Sequence, residues 1–227
     1  MKIGILGTGT VGQAIGGGLM QMGHDVMIGT RNVAEALART APDGMGNPPF
    51  SAWHKENPKA QLGTFAQAAA HGAMIVNATN GFAALDILKS AGEANLNGKT
   101  LIDISNPLDF SKGMPPTLFV KDSDSLAEQI QRAYPRVNVV KTLNTMTAQL
   151  MVNPGQLAGG DHTVFVSGND VAAKAEVTEL LKSFGWRDII DIGDITTARG
   201  TEMLMPIWIR LMMGPLQTPM FNFKIVR

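Results

Sequence analysis

No cysteine occurs anywhere in the 227 residues. Its absence removes structural disulfides, thiolate metal sites, Cys-x-x-Cys redox chemistry and cysteine nucleophiles together. The 4 histidines are scattered and show no metal-ligand spacing. Tyr134 is the 1 tyrosine, and the residue four places on is Asn138 rather than lysine, so the tyrosine–lysine proton donor of short-chain dehydrogenases is missing. Neither sign of charge is in excess: 19 basic residues stand against 19 acidic ones. With no basic cluster interleaved with aromatics, that balance argues against a nucleic-acid surface. Long apolar runs are lacking too. The most apolar late stretch, Met203 to Met213, is too short for a membrane span and contains Pro206 and Arg210, and a strand that begins at residue 2 leaves no room for a signal peptide. The expectation is a cytoplasmic protein without membrane contact, built as one sizeable domain or one domain with a smaller appendage.

The informative part comes first in the chain. Ile3-Gly4-Ile5-Leu6 reads as a buried strand that runs into Gly7-Thr8-Gly9-Thr10-Val11-Gly12, a G-x-G-x-x-G turn. The first glycine permits a tight turn, the second lets backbone approach a pyrophosphate, and the third allows close helix–strand packing. Ala14, Ile15, Leu19 and Met22 follow at helical spacing, Gly23-His24-Asp25 ends that helix, and Val26 to Gly29 forms a second strand. This is a complete β-α-β unit of the dinucleotide-binding kind, with a pyrophosphate expected on the unpaired N–H groups of the helix start.

The end of the second strand selects the dinucleotide. NAD-specific sites place a carboxylate there against the ribose hydroxyls. This chain has Thr30-Arg31-Asn32, since Asp25 opens the strand and Glu35 lies a turn into the next helix. Arg31 offers a permanently charged planar fork to a phosphate, and Thr30 and Asn32 add neutral donors. NADP is favoured over NAD; the competing reading is a solvated surface arginine.

Strand and helix then alternate. Val33 to Thr40 is helical; Ala41 to Lys59, rich in Pro and Gly and carrying Trp53 and His54, reads as an inserted loop, either a lid or a surface excursion with a buried tryptophan. A short strand near Gln61-Leu62, a helix over Phe65 to His71, a strand over Ala73 to Ala78, a helix over Phe82 to Ala91 and a strand over Thr100 to Ile104 follow. Ser105 to Phe119 reads as loop, Ser125 to Tyr134 as a helix with Ser123 as its cap, and Val137 to Lys141 as strand. The last part holds a strand over His162 to Val166, a helix over Val171 to Phe184, a strand over Asp188 to Ile192 and a long apolar helix from about Thr196 to Met213. The fold class is α/β, a Rossmann-type doubly wound, mostly parallel sheet with a small, mainly helical C-terminal extension. The expected division is a nucleotide-binding domain over 1–145 and an extension over 146–227 that completes the acceptor pocket and supplies the dimer contact.

Ligands of such sheets lie beyond the carboxyl ends of the strands. The loops there include Ala78-Thr79-Asn80, Ser105-Asn106 and Leu143-Asn144-Thr145-Met146, all uncharged. They suit hydrogen bonding to a cofactor, or simple turn formation, better than acid–base work. Lys141 is left as a candidate base, against the ordinary reading of a solvated strand-end lysine. A reaction that needs no protein acid or base is hydride transfer between two stacked cofactor rings, where proximity and orientation provide the acceleration. Met203 to Met213 could wall such a pocket with thioethers, or serve as core or subunit interface.

Gly7 to Gly12, Gly29-Thr30-Arg31-Asn32, Asn77-Ala78-Thr79, Val140 to Met146 and Gly159-Gly160-Asp161 together resemble the deazaflavin-dependent NADP oxidoreductases over nearly the full chain. The resemblance implies a Rossmann reductase, commonly a homodimer, that shuttles hydride between NADPH and coenzyme F420; mammalian ferric reductases use a related domain to pass electrons from NADPH to a flavin. It implies that Thr8, Gly9, Thr10 and Val11 hold the pyrophosphate, Thr30 and Arg31 the 2′-phosphate, and Leu143 to Met146 the acceptor ring. Archaeal members carry a histidine where this chain has Asn144, and their equivalent of the 41–59 loop is shorter. The expected activity is therefore NADP(H)-dependent hydride transfer to a small-molecule redox acceptor, F420 or FMN/FAD; the alternatives are reduction of a small carbonyl or imine with Lys141 or Asn144 orienting it, and a non-catalytic NADP(H) sensor.

Overall fold

A computed structural model describes residues 1–42 and 46–227. The chain runs through β1 (Lys2–Leu6), α1 (Thr10–Gln21), β2 (Asp25–Thr30), α2 (Val33–Ala38), α3 (Phe50–Glu56), β3 (Gln61–Thr64), α4 (Phe65–His71), β4 (Met74–Asn77), α5 (Ala84–Ala91), α6 (Glu93–Leu96) and β5 (Thr100–Asp103). It continues through a short hairpin, β6 (Leu108–Asp109) and β7 (Thr117–Leu118), then α7 (Leu126–Ala133), β8 (Asn138–Thr142), α8 (Ala148–Val152), β9 (Thr163–Gly168), α9 (Val171–Ser183), β10 (Asp188–Gly193), α10 (Ala198–Met203) and α11 (Met205–Met213).

Among the described residues one large sheet has the order β10-β9-β8-β5-β4-β1-β2-β3. Every neighbouring pair in it is parallel except β8 with β9. Both faces are covered, so the central strands are apolar throughout rather than alternating. In β4, Met74 and Val76 join the core under α1, α8 and α9, while Ile75 between them joins the core under α4, α5 and α7. The period of two in a pleated strand divides one apolar run between two cores. α1 buries Gly12, Ile15, Gly16 and Leu19, a single stripe at helical spacing. α4 starts with a reciprocal cap: Thr64 accepts from the Gln67 N–H, and the Gln67 side chain accepts from the Thr64 N–H.

Four features differ from the sequence expectation. The cap of α7 is Ser125, whose Oγ accepts the Glu128 N–H at 3.1 Å, not Ser123. The 105–119 segment contains the β6–β7 hairpin. The 41–59 segment contains α3, which begins just after Pro49 and anchors Phe50 and the half-buried Trp53 in the core; residues 43–45 of that segment lie outside the described residues. The apolar helix over 196–213 is two helices, α10 and α11, that meet at Leu204. Pro206 sits in the first turn of α11, where its missing N–H removes no helical bond.

The extension after residue 146 is helical near its end, but β9 and β10 belong to the main sheet. The boundary expected at 145 thus falls between β8 and β9, which are hydrogen-bonded to each other. No helix among the described residues is long and apolar enough to cross a membrane.

Candidate functional site

At the carboxyl ends of β2, β1 and β4 lies a cleft of about 350 Å³. Its floor is the glycine turn. Gly7 holds φ at +119°, and a Cβ there would stand 2.6 Å from the Ala78 carbonyl oxygen; only glycine fits. A Cβ on Gly12 would stand 2.1 Å from the Gly7 carbonyl oxygen, so α1 begins this close to β1 because that position has no side chain. Gly9 is different. Its φ of −72° is ordinary and an added Cβ would meet nothing within 4 Å. The protein's own packing does not require glycine there, and the bare backbone allows a ligand to approach closely.

Gly9 is also the N-cap of α1, and no side chain caps the helix. With no acidic residue in the first turn, the free N–H groups and the positive end of the helix dipole are left to an anion. Gln13 Nε2 donates to the Thr8 carbonyl oxygen at 2.9 Å and holds the turn in shape.

The β2 end of the cleft is cationic. Arg31 is exposed and forms no ion pair with any described residue. Arg39, at the far end of α2, lines the same cleft. Asn32 caps α2 by accepting the Glu35 N–H at 3.2 Å through its side-chain oxygen, which leaves its amide N–H groups as donors. Thr30 is nearly buried at the end of β2. Pro48, Pro49 and Phe50, from the loop that leads into α3, close this side of the cleft.

Beyond β4 the character changes. Thr79 and Asn80 line the cleft, and Thr79 Oγ1 donates to Asn77 Oδ1 at 2.7 Å. Asn77 Nδ2 donates in turn to Asp103 Oδ1 at 2.8 Å. Asp103 accepts from Lys141 Nζ at 2.8 Å, and Lys141 also pairs with Glu202 at 3.0 Å and donates to the Ser105 carbonyl oxygen. Glu202 receives the backbone N–H groups of Leu126 and Ala127 at the start of α7, 2.8 and 3.1 Å away. Lys141 has 0% side-chain exposure. Burial acts to lower its pKa, but the facing charges of Asp103 and Glu202 outweigh it and hold the amine above the ordinary lysine value. Glu202 is pushed above the ordinary carboxylate range by its burial, with Lys141 opposing. Lys141 is therefore a protonated, buried cation that does not line the cleft. A general base needs a free amine.

The sequence-predicted residues divide accordingly. Gly7, Thr8, Gly9, Thr10, Thr30, Arg31, Asn32, Ala78, Thr79 and Asn80 are gathered on the cleft. Val11 is half-buried against the core, and Gly12 is buried beneath the turn. Ser105 is buried and donates to Asp103 at 2.7 Å. Asn106 and Asn144 exchange bonds: Asn106 Nδ2 donates to the Asn144 carbonyl oxygen and Asn144 Nδ2 donates to Asn106 Oδ1, each at 2.9 Å. Leu143, Asn144, Thr145 and Met146 are all buried. Sequence reasoning missed Gln13, Arg39 and the Pro48–Phe50 wall. Arg39 stands two turns of helix after Arg31 and carried a weak signal; the wall carried none, because its position depends on how α3 docks.

A model of the family described as NADP oxidoreductase, coenzyme F420-dependent, matches residues 2–107. A crystal structure from Arthrobacter sp. FB24, provisionally named an F420-dependent NADP reductase, is 59% identical over 100% of both chains, with a TM-score of 0.95. The metalloreductase STEAP3 of Rattus norvegicus is 27% identical over 212 residues, 91% of this chain; the chain spans only 38% of that relative's length. A reductive aminase from Aspergillus terreus, solved with NADPH4, cyclohexanone and allyl amine, is 18% identical over 91% of this chain and 60% of its own, with a TM-score of 0.60. At that identity the likeness is one of fold alone.

Proposed function

Because the chain belongs to the family of coenzyme F420-dependent NADP oxidoreductases, we propose that it moves a hydride between NADPH and the planar ring of a flavin or deazaflavin. NADP-dependent oxidoreduction comes with the family; the ring-type acceptor is our own reading. The residues fit NADP. The uncapped start of α1 with Thr8, Gly9 and Thr10 would hold the pyrophosphate, Arg31 with Thr30 and Asn32 the 2′-phosphate, and Thr79 and Asn80 the nicotinamide half.

The observation that carries the proposal is the distribution of titratable groups. Among the described residues, those lining the cleft, Arg31, Glu35 and Arg39, all belong to its β2 end. Among the described residues the polar side chains at the β4 end are the hydroxyl of Thr79 and the amide of Asn80. Such a site suits hydride transfer, in which NADPH held by these residues would supply one hydride and leave as NADP⁺ and the acceptor ring would take that hydride with one proton from water. Bound NADPH would supply the hydride; the chain would supply alignment. Reduction of a carbonyl or imine oriented by Lys141 is disfavoured, since that amine is buried and paired. The near balance of charge agrees with a small-molecule partner rather than a nucleic acid. Exposed Met203 at the end of α10, with Ile207 and Met213 of α11, suits a homodimer contact, and we place the reaction in the cytoplasm.

Stopped-flow mixing of the NADPH-loaded protein with F420, FMN and FAD tests this. Oxidation of NADPH at 340 nm in step with loss of the acceptor's visible band is expected for at least one ring. A folded, NADPH-binding protein that reduces none of the three would overturn the proposal and favour a sensor.

A further inference from the structure

We infer that Phe82 and Phe119 form the shelf on which the acceptor ring stacks. The inference rests on the ring-type acceptor proposed above and assigns that ring a place. Strand order points there first. With the 2′-phosphate at β2 and the pyrophosphate at β1, a dinucleotide laid along this edge carries its nicotinamide over β4 toward β5. The segment after β4 holds Phe82, two residues past the cleft-lining Asn80, and the segment after β5 leads through the β6–β7 hairpin to Phe119. The two rings come from these separate strand ends and meet with centroids 4.7 Å apart and planes tilted by 57°, so a flat ligand would lie on the face of one and meet the edge of the other.

Exposure points the same way. Phe82 is 66% and Phe119 37% exposed, although both are large apolar rings, whereas Phe50 and Phe65 on the cleft wall are buried. The backbone beneath the exposed pair is nevertheless pinned. Asn80 Oδ1 accepts the Phe82 N–H at 2.9 Å, and the Phe119 N–H donates to the Pro107 carbonyl oxygen at 3.0 Å. A Cβ on Gly81 would stand 2.0 Å from the Asn106 carbonyl oxygen, so the two loops are in direct contact. Exposed rings on a hydrogen-bonded support, the first of them two residues in the chain from the cleft-lining Asn80, offer a preorganised face and edge to a flat ligand.

The competing place is closed to a ring. Leu143, Asn144, Thr145 and Met146 are each 5% exposed or less, and Asn144 spends its side chain on Asn106 and on the Thr201 carbonyl oxygen. That loop is hydrogen-bonded to the 105–107 turn through Asn106. Contact with a ring falls to the aromatic pair above.

The test uses the intact protein saturated with NADP⁺ and follows quenching of F420 or FMN fluorescence on titration. Wild type is expected to bind at least one probe saturably, and Phe82→Ala/Phe119→Ala to weaken it about tenfold or more, with NADPH affinity and the melting temperature little changed. Phe82→Leu/Phe119→Leu, which keeps apolar bulk without flat faces, should fall in between. Equal probe affinity in wild type and the double variant overturns the shelf, as does the absence of saturable binding of either probe to wild type. If the alanine pair changes the molecular mass by light scattering while probe affinity holds, a second copy of the chain covers these rings and the shelf is wrong. Turnover that is insensitive to both substitutions leaves hydride transfer standing without the shelf; saturable, phenylalanine-dependent binding without turnover does the reverse.

Discussion

The two halves of the sheet edge solve opposite electrostatic problems. At β1 and β2 the polar groups are left without protein partners: the first N–H groups of α1 have no cap, and Arg31 has no acid among the described residues. At β5 and β8 the buried charges are satisfied internally, with Lys141 held between Asp103 and Glu202 and Glu202 in turn receiving two backbone donors of α7. The first half leaves donors and positive charge open to an anionic ligand. The second is built to hold strands, α7 and the C-terminal helices in register, and it hands the cleft only the neutral groups of Thr79 and Asn80. A single α/β edge can thus recognise and support side by side, because unsatisfied donors are tolerable where water and ligand reach them and costly where they do not.

The sharpest way to break this contrast is Lys141→Met. Two buried carboxylates would lose their cation, and a loss of about 3–5 kcal/mol is expected, read as a fall in the urea midpoint. Asp103→Asn in the same chain should recover part of it. A midpoint unchanged by Lys141→Met would mean that the network is not a structural element.

Arg31→Ala tests the opposite half. It should leave the urea midpoint alone and weaken NADPH by about 1.5–3 kcal/mol, roughly ten- to a hundredfold in Kd, with NADH little affected. Arg39→Ala should act in the same direction and more weakly. Equal losses for NADPH and NADH would place Arg31 away from the 2′-phosphate.

The smallest effect is expected far from the cleft. The Thr163 hydroxyl, with help from Arg227 and Lys224, holds the carboxyl of Asp188 down at about 2, below the value of about 3.9 for a free aspartate. A carboxyl depressed by folding stabilises the fold above the unfolded value and loses that contribution as pH falls through the folded one. Asp188→Asn should therefore cost on the order of 1 kcal/mol or less at neutral pH, and the difference from wild type in thermal melts should close between about pH 4 and about pH 2. A difference that persists at the acid end of that window would contradict the assignment.

Much of the recognising half was legible because it is contiguous. Gly7 to Thr10 and Thr30 to Asn32 are short runs whose geometry follows from the strand–turn–helix pattern that contains them, and they line one cleft. The supporting half was half-legible. Ser105, Asn106 and Leu143 to Met146 stand at strand ends, as the alternation of strand and helix indicates, yet their burial depends on what packs above them. Lys141 looked like a surface lysine or a base because nothing near it in the chain announces Asp103 and Glu202 as neighbours. The antiparallel entry of β9 was equally hidden, since strand composition reports burial and not direction.

The sequence by itself determined a Rossmann turn, a preference for NADP and the lack of the common proton-transfer sets. Each of these is encoded by residues a few places apart, or by the absence of a residue type altogether. Only the tertiary structure decided that Lys141 is a buried cation paired with two carboxylates, that the 143–146 loop lies beneath the surface, that Arg39 and Pro48 to Phe50 line the cleft, and that Phe82 meets Phe119. Those outcomes depend on contacts between distant segments, where burial and charge pairing are set by the docking of whole helices and loops and leave little trace in local composition.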